Sequence, residues 1–250
     1  MNTSFGNIKA ITKRELQGYF ASPVAYVFIV IFLILVSVFT FLFGGFFERN
    51  DASLLSCFMW YPWLYLFLVP AVGMRLWSEE RRLGTMELLL TMPITTWQAI
   101  VGKFLASWLF LALALALTFP VWITVNYLGN PDNGAILCGY IGSALMAATY
   151  LAIASMTSAM TRNQVISFIL SVMICLVLIL VGYPPVTNFF SHVMGFGQNL
   201  VESIAAFSVM THFDGFQKGV LDSRDFIFFL SVIAFSLFTT GVIIRGHRAG

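Results

Sequence analysis

Six long apolar stretches limit what this chain can fold into: roughly Val24–Phe46, Cys57–Leu76, Phe104–Leu128, Ala135–Met160, Val165–Gly182 and Phe226–Ile244. A helix that crosses a bilayer needs about 20 mainly apolar residues, and each stretch is near that length. Only 10% of the residues are charged, against about 25% in soluble domains, so there is too little polar surface to face water all round. The sequence therefore predicts an all-α polytopic membrane protein with six transmembrane helices. It reads as a single domain over residues 1–250, with both termini on the same side. The N-terminal apolar run exceeds a signal-peptide core and no small-residue cleavage site follows it, so it is read as the first span.

Lys and Arg flank the spans unevenly. With a cytoplasmic N-terminus, the inner segments carry Lys9, Lys13, Arg14, Arg75, Arg81, Arg82, Lys103, Arg162, Arg245 and Arg248, and the outer ones only Arg49, Lys218 and Arg224. This asymmetry orients the chain with both termini inside. Trp60, Tyr61, Trp63, Trp122, Tyr127 and Tyr183 then lie near the outer interface, and Tyr19, Tyr26, Trp77 and Trp97 near the inner one.

No Asp, Glu, Lys, Arg or His lies deep within a span. Proton- and ion-coupled carriers keep such residues along their routes despite the expense, so that class is disfavoured. Cys57, Cys138 and Cys175 are far apart and show no metal-ligand spacing. Gly102-Lys103-Phe104 lacks the upstream glycine and the hydroxyl residue of a phosphate-binding loop. Any work on a gradient must draw its energy from a partner. No cofactor is expected in this chain, and nothing points to nucleic acid.

The spans differ in character. The second contains Pro62 and Pro70, which remove backbone donors and invite a kink. In the fourth, Ala144, Ala148 and Ala152 recur every four residues, with Ser155 and Ala159 nearby, so one face can approach another helix closely. Whether that helix belongs to the same chain is open. The fifth is almost uniformly large and apolar, and periodicity does not choose its packed face. Before the first span, residues 8–20 form a loosely amphipathic helix with Ile8, Ile11, Leu16 and Tyr19 broadly on one side and Glu15 intruding there. Such a helix can lie in the inner interface among lipid head groups. The outer segment 184–225 is apolar enough for short helices on the outer leaflet. It holds His192, Glu202, His212 and Asp214, of which only His212 and Asp214 are close in sequence; hydrogen bonding and capping are preferred there over a metal site.

The densest charge lies in Ser78-Glu-Glu-Arg-Arg-Leu-Gly-Thr-Met-Glu-Leu-Leu-Leu-Thr-Met-Pro93, between spans two and three and thus cytoplasmic. Ser78 can cap a helix, with Glu79 and Glu80 near its positive end. Gly84 permits a bend, Thr85 can cap a second short helix containing Glu87 and the leucines, and Pro93 ends it. Orientation alone accounts for the arginines. It leaves the glutamates unexplained.

Three motifs in order complete the reading. Lys13-Arg-Glu-Leu-x-x-Tyr-Phe-x-Ser-Pro23 and Ser78-Glu-Glu-Arg-x-x-Gly-Thr-x-Glu-Leu-Leu-x-Thr-x-Pro-Ile94 resemble the ABC-2 family of transporter permeases. Thr211-His-Phe-Asp-Gly-Phe-x-x-Gly-Val-Leu-Asp222 resembles the gliding-motility-type branch of that family. The resemblance implies an ABC-2, type V exporter-like fold in a bacterial inner membrane. It implies a pathway formed by two permease copies, identical or related, above two separate ABC ATPase subunits that carry ATP and Mg. An extracytoplasmic partner could meet the long outer segment, whose candidate site residues are His212, Phe213 and Asp214.

By the same match, residues 1–23 hold the elbow helix, including Lys13, Arg14, Glu15, Tyr19 and Phe20. Residues 77–103 hold the coupling region, including Glu79, Glu80, Arg81, Arg82, Gly84, Thr85, Glu87 and Leu88. The implied function is export of a lipid-like, glycan or other bulky substrate, with no ATPase chemistry in this chain. The alternative is a non-transporting scaffold that anchors an ATPase and an outer assembly.

Overall fold

The computed structural model describes residues 2–46, 53–86, 94–192 and 203–246, and no strand occurs among them. Helix α1 (Asn2–Ala21) ends at Ser22, whose hydroxyl caps α2 (Pro23–Val38) by accepting from the Val24 amide. Pro23 sits in the first turn, where its missing N–H has no intrahelical partner to lose. A π-helical turn, Phe39–Phe43, continues α2. After the short α3 (Leu55–Phe58) come α4 (Tyr61–Gly73) and α5 (Arg75–Leu83), separated by Met74 alone.

Thr95 and Gln98 form a reciprocal capping box that starts α6 (Thr96–Ala116). Helix α7 (Phe119–Leu128) follows, with Pro120 in its first turn. Asp132 caps α8 (Asn133–Met160), and Asn163 caps α9 (Gln164–Leu180). The remainder comprises α10 (Pro184–His192), α11 (Val209–Gln217) and α12 (Ser223–Gly246).

Four of the expected spans appear as helices long and apolar enough to cross a membrane: Pro23–Phe43, Thr96–Leu128, Asn133–Met160 and Ser223–Gly246. The stretches expected as spans two and five contain shorter helices, α4 with 13 residues and α9 with 17. The second is divided because α4 closes at Gly73, one turn after Pro70, and charge begins at Arg75. Span three starts earlier than its apolar run. The capping box places eight further residues, Thr96–Lys103, on the same helix.

Helix α8 is the axis of the bundle. It packs against α4, α5, α6, α9, α11 and α12, and Ala148, Ala152, Ser155 and Ala159 are all buried. The small-residue face therefore receives helices of this same chain, which settles what the sequence left open. On α9 the packed stripe is Ser167, Ser171, Cys175 and Ile179, while Val165, Ile169, Met173 and Val177 are exposed. Small hydroxyls face the bundle and bulky aliphatics face outward. That order suits a lipid surround, where close approach and hydrogen bonding drive helix association and apolarity does not.

Helix α1 does not stand apart from the bundle; it lies along α6. Gly102 makes this approach possible, because a Cβ there would sit 2.7 Å from Ile11 Cγ2. Thr12 Oγ1 donates to the Gly102 carbonyl at 3.2 Å, and the Tyr19 and Phe110 rings stack at 5.1 Å. The half-buried face of α1 includes Ile8, Ile11, Leu16 and Tyr19, the set expected from its periodicity.

Candidate functional site

Helix α5 carries the charged sequence, and it begins three residues before Ser78. Ser78 is therefore no N-cap. It is fully buried within the helix and its hydroxyl donates to the Met74 carbonyl one turn back. The expectation that Glu79 and Glu80 flank a positive helix end is corrected with it, since the first turn contains no acidic residue. Gly84 does end α5, in the left-handed region with φ of 71°. Its amide and that of Thr85 both reach the Glu80 carbonyl, the latter at 3.1 Å, which closes the helix C-terminus. Arg82, Leu83, Gly84 and Thr85 are exposed and form the tip of α5. Glu87 and Leu88, with the expected second helix, lie outside the described residues.

Lys103 is where the elements meet. Its side chain is 6% exposed, and Nζ lies 2.8 Å from Glu80 Oε1 and 3.4 Å from Glu15 Oε1. It also sits over the buried Trp77 ring, 5.6 Å from the centroid. One ammonium thus ties α5, α1 and α6 together. The intrusion of Glu15 on the apolar face of α1 has its reason here: that face meets α6 at the only position carrying a cation. Glu80 Oε2 is buried without a hydrogen-bond partner. In the sequence Lys103 counts as an inner-side cation, as part of an incomplete phosphate-binding fragment and as the end of the coupling region, not as an ion-pair centre. The available signal was a lone lysine immediately before an apolar run, paired with a glutamate misplaced on an amphipathic face.

A second set of contacts fastens α5 to α8. Ser158 Oγ accepts from the amides of Trp77 and Ser78, both at 3.0 Å, and donates to the Met74 carbonyl at 2.8 Å. Trp77 Nε1 donates to Ser155 Oγ at 3.0 Å, and Arg81 Nη1 to the Ala159 carbonyl at 2.6 Å. Burial and the nearby Arg162 lower the pKa of Arg81 from its usual value. Because these bonds engage backbone as well as side chains, α5 cannot shift without α8.

The expected residues of α1 divide between surface and interior. Lys13 and Arg14 are exposed, while Glu15, Tyr19 and Phe20 are half-buried toward the bundle. Phe20 meets Phe110 edge-on at 5.9 Å, and Tyr19 Oη lies 2.9 Å from Ser107 Oγ. Burial pushes the Tyr19 phenol up to about 12; Glu15 adds to the effect, while Ser107 and Arg75 oppose it. Between α1, the start of α2, α4, α5 and α6 lies a cavity of about 480 Å³. Glu15, Arg75, Glu79, Glu80 and Lys103 line its polar part.

At α11, the structure pairs His212 with Asp225 of α12, not with its sequence neighbour Asp214. Nδ1 of His212 is 2.6 Å from Asp225 Oδ1, and Nε2 is 2.9 Å from the Ala206 carbonyl. The imidazole stacks on Phe228 with centroids 4.1 Å apart. Asp214 instead pairs with Lys218 along the helix, and Phe213 is fully buried. Glu202 and the side chain of His192 lie outside the described residues. No cluster of three or more His, Cys, Asp or Glu capable of holding a metal occurs among the described residues.

The arrangement is a helical bundle with a charged short helix clamped to three membrane-associated elements, and comparison with known families agrees with it. No curated protein matches the chain. A family model described as ABC-2 family transporter protein matches residues 64–209, more than half of the chain and a range that includes α5, α6 and α8. The chain belongs to the ABC-2 family of membrane transport proteins.

Proposed function

We propose that this chain is the membrane-spanning permease subunit of an ATP-binding-cassette transporter and that the exposed tip of α5 receives a separate ATPase subunit. The observation that carries this reading is the double fastening of α5: to α1 and α6 through Lys103, and to α8 through Ser158. A displacement of the tip reaches the bundle axis through these contacts. A loop serving orientation alone needs none of them. In this reading α4 and α9 complete six crossings, α1 is the elbow helix, both termini are cytoplasmic, and the membrane is a bacterial inner membrane. Two permease copies and two ATPases form the working unit, ATP and Mg act on the ATPases, and the cargo is lipid-like, glycan or otherwise bulky. The motif at Thr211–Asp222 favours the gliding-motility-type branch, with an extracytoplasmic partner at α11.

Charge reversal at exposed Arg82, alone and with Glu87, tests the proposal. Co-purification of the ATPase from membranes should fall, and so should cargo-stimulated hydrolysis, while membrane insertion is retained. Unchanged association and hydrolysis after both reversals would refute the assignment. The scaffold alternative shares this docking face. Reconstituted vesicles distinguish it, because only the permease reading expects ATP-dependent movement of cargo across the bilayer.

A further inference from the structure

The cavity under α1 grades from charged to apolar along the helices that wall it. On α6 the lining passes from Lys103 to Phe110, seven residues and about 10 Å along the axis. From Glu79 on α5 to Val72 on α4 it changes in the same sense over the same number of residues. One end suits a head group and the other a hydrocarbon chain. The volume of about 480 Å³ falls within the usual range for small-molecule sites. It suits a head group with the first part of one chain, and Gly18 and Val24, both exposed on its lining, leave it open to the surroundings.

The polar end has unused bonding capacity of both signs. Lys103 is already shared by Glu80 and Glu15. Arg75 and Glu79 have no ion-pair partner among the described residues, and Glu80 Oε2 is buried with no donor. A buried carboxylate oxygen without a donor is costly and calls for an N–H or O–H. An anionic head group satisfies Arg75 and leaves the carboxylates unmatched. A quaternary ammonium has the right charge but no N–H to donate. A primary ammonium beside a phosphate meets both signs, donating hydrogen bonds to Glu79 and toward the Glu80 carboxylate while its phosphate accepts from Arg75.

We infer that this cavity binds one membrane phospholipid of the phosphoethanolamine class, head group at Arg75, Glu79 and Glu80 and one acyl chain beside Phe28, Val72 and Phe110. The lipid fills the gap between α1 and the α4–α5 junction, adding a contact between the N-terminal helix and the short charged helix. The inference needs the membrane location alone and does not depend on the transport role, so either can fail without the other.

The test is native mass spectrometry of the purified full-length protein in detergent micelles holding equal amounts of phosphatidylethanolamine, phosphatidylcholine and phosphatidylglycerol. One phosphatidylethanolamine per chain should survive activation that strips the others, at about tenfold preference, the ratio given by ~1.4 kcal/mol. Gly18→Phe should abolish retention, since Gly18 lines the cavity and a Cβ added there meets no protein atom within 4 Å. Glu79→Gln should reduce the preference over phosphatidylcholine, and Arg75→Gln should weaken retention; each variant should elute as a single species with a wild-type melting profile. Soluble glycerophosphoethanolamine should not bind, because it lacks the chain. Equal retention of the three lipids, retention by Gly18→Phe, or equal binding of the chainless head group would each overturn the inference.

Discussion

Replacing Lys103 by Met removes the shared cation and nearly preserves the side-chain length. It leaves Glu80 and Glu15 facing each other, with side chains 19% and 23% exposed. Breaking a buried pair by deleting one partner costs about 3–5 kcal/mol, because the remaining charge is stranded. The cavity gives these carboxylates some access to water, and the 3.4 Å contact is weaker than the 2.8 Å one, so the lower end applies, roughly 3 kcal/mol. For a chain of this length that corresponds to a melting temperature lower by about 6–12 °C. The assay is thermal unfolding of the detergent-solubilised protein, followed by near-UV circular dichroism and by loss of monodisperse elution. The double variant Lys103→Met/Glu80→Gln should recover about half of the loss, since one stranded charge is neutralised. Melting within 2 °C of wild type for Lys103→Met, or strictly additive effects in the double variant, would refute the claim that this ammonium holds the three helices together.

Gly102→Ala should destabilise the α1–α6 contact by about 1–3 kcal/mol through overpacking against Ile11, and Ile11→Ala in the same chain should restore it; failure of that rescue in the melting assay counts against the packing. Ser158→Ala removes the acceptor of the Trp77 and Ser78 amides and a donor to Met74. Hydrogen exchange across α5 should accelerate by an amount matching about 1–3 kcal/mol, with α12 unaffected. Tyr19, with its phenol raised to about 12, favours the folded state while neutral. That contribution is fully present below the unfolded value of about 10 and is lost as pH rises from there toward 12, roughly 2–3 kcal/mol in all. Wild type should therefore lose more stability than Tyr19→Phe between pH 9 and 11.5, and equal losses would reject the assignment.

The places where sequence and structure part company share a cause. Sequence periodicity located α1 and its apolar face, but Glu15 read as a flaw there because its partner is 88 positions away. Ser78 reads as a cap when the window opens at the charges; the helix had already begun at Arg75, continuing almost directly from α4. On α9 the apolar residues carried no directional signal, and the packed face was marked by Ser167 and Ser171 instead. Within lipid, apolarity does not choose a side; small size and hydroxyl groups do. His212 and Asp214 are neighbours in sequence, yet one helical turn carries them to different partners.

The sequence by itself determined that this is a membrane chain built from apolar helices, because so few charges leave no other solvent for its surface. It also placed the breaks at Ser22-Pro23 and Gly84, where backbone chemistry is local. Only the tertiary structure decided that Lys103 joins three elements, that α8 is the axis, and that α5 is bolted to it through Ser155 and Ser158. Those contacts depend on which helices lie side by side, and helix adjacency is set by the summed packing of the bundle rather than by any single segment.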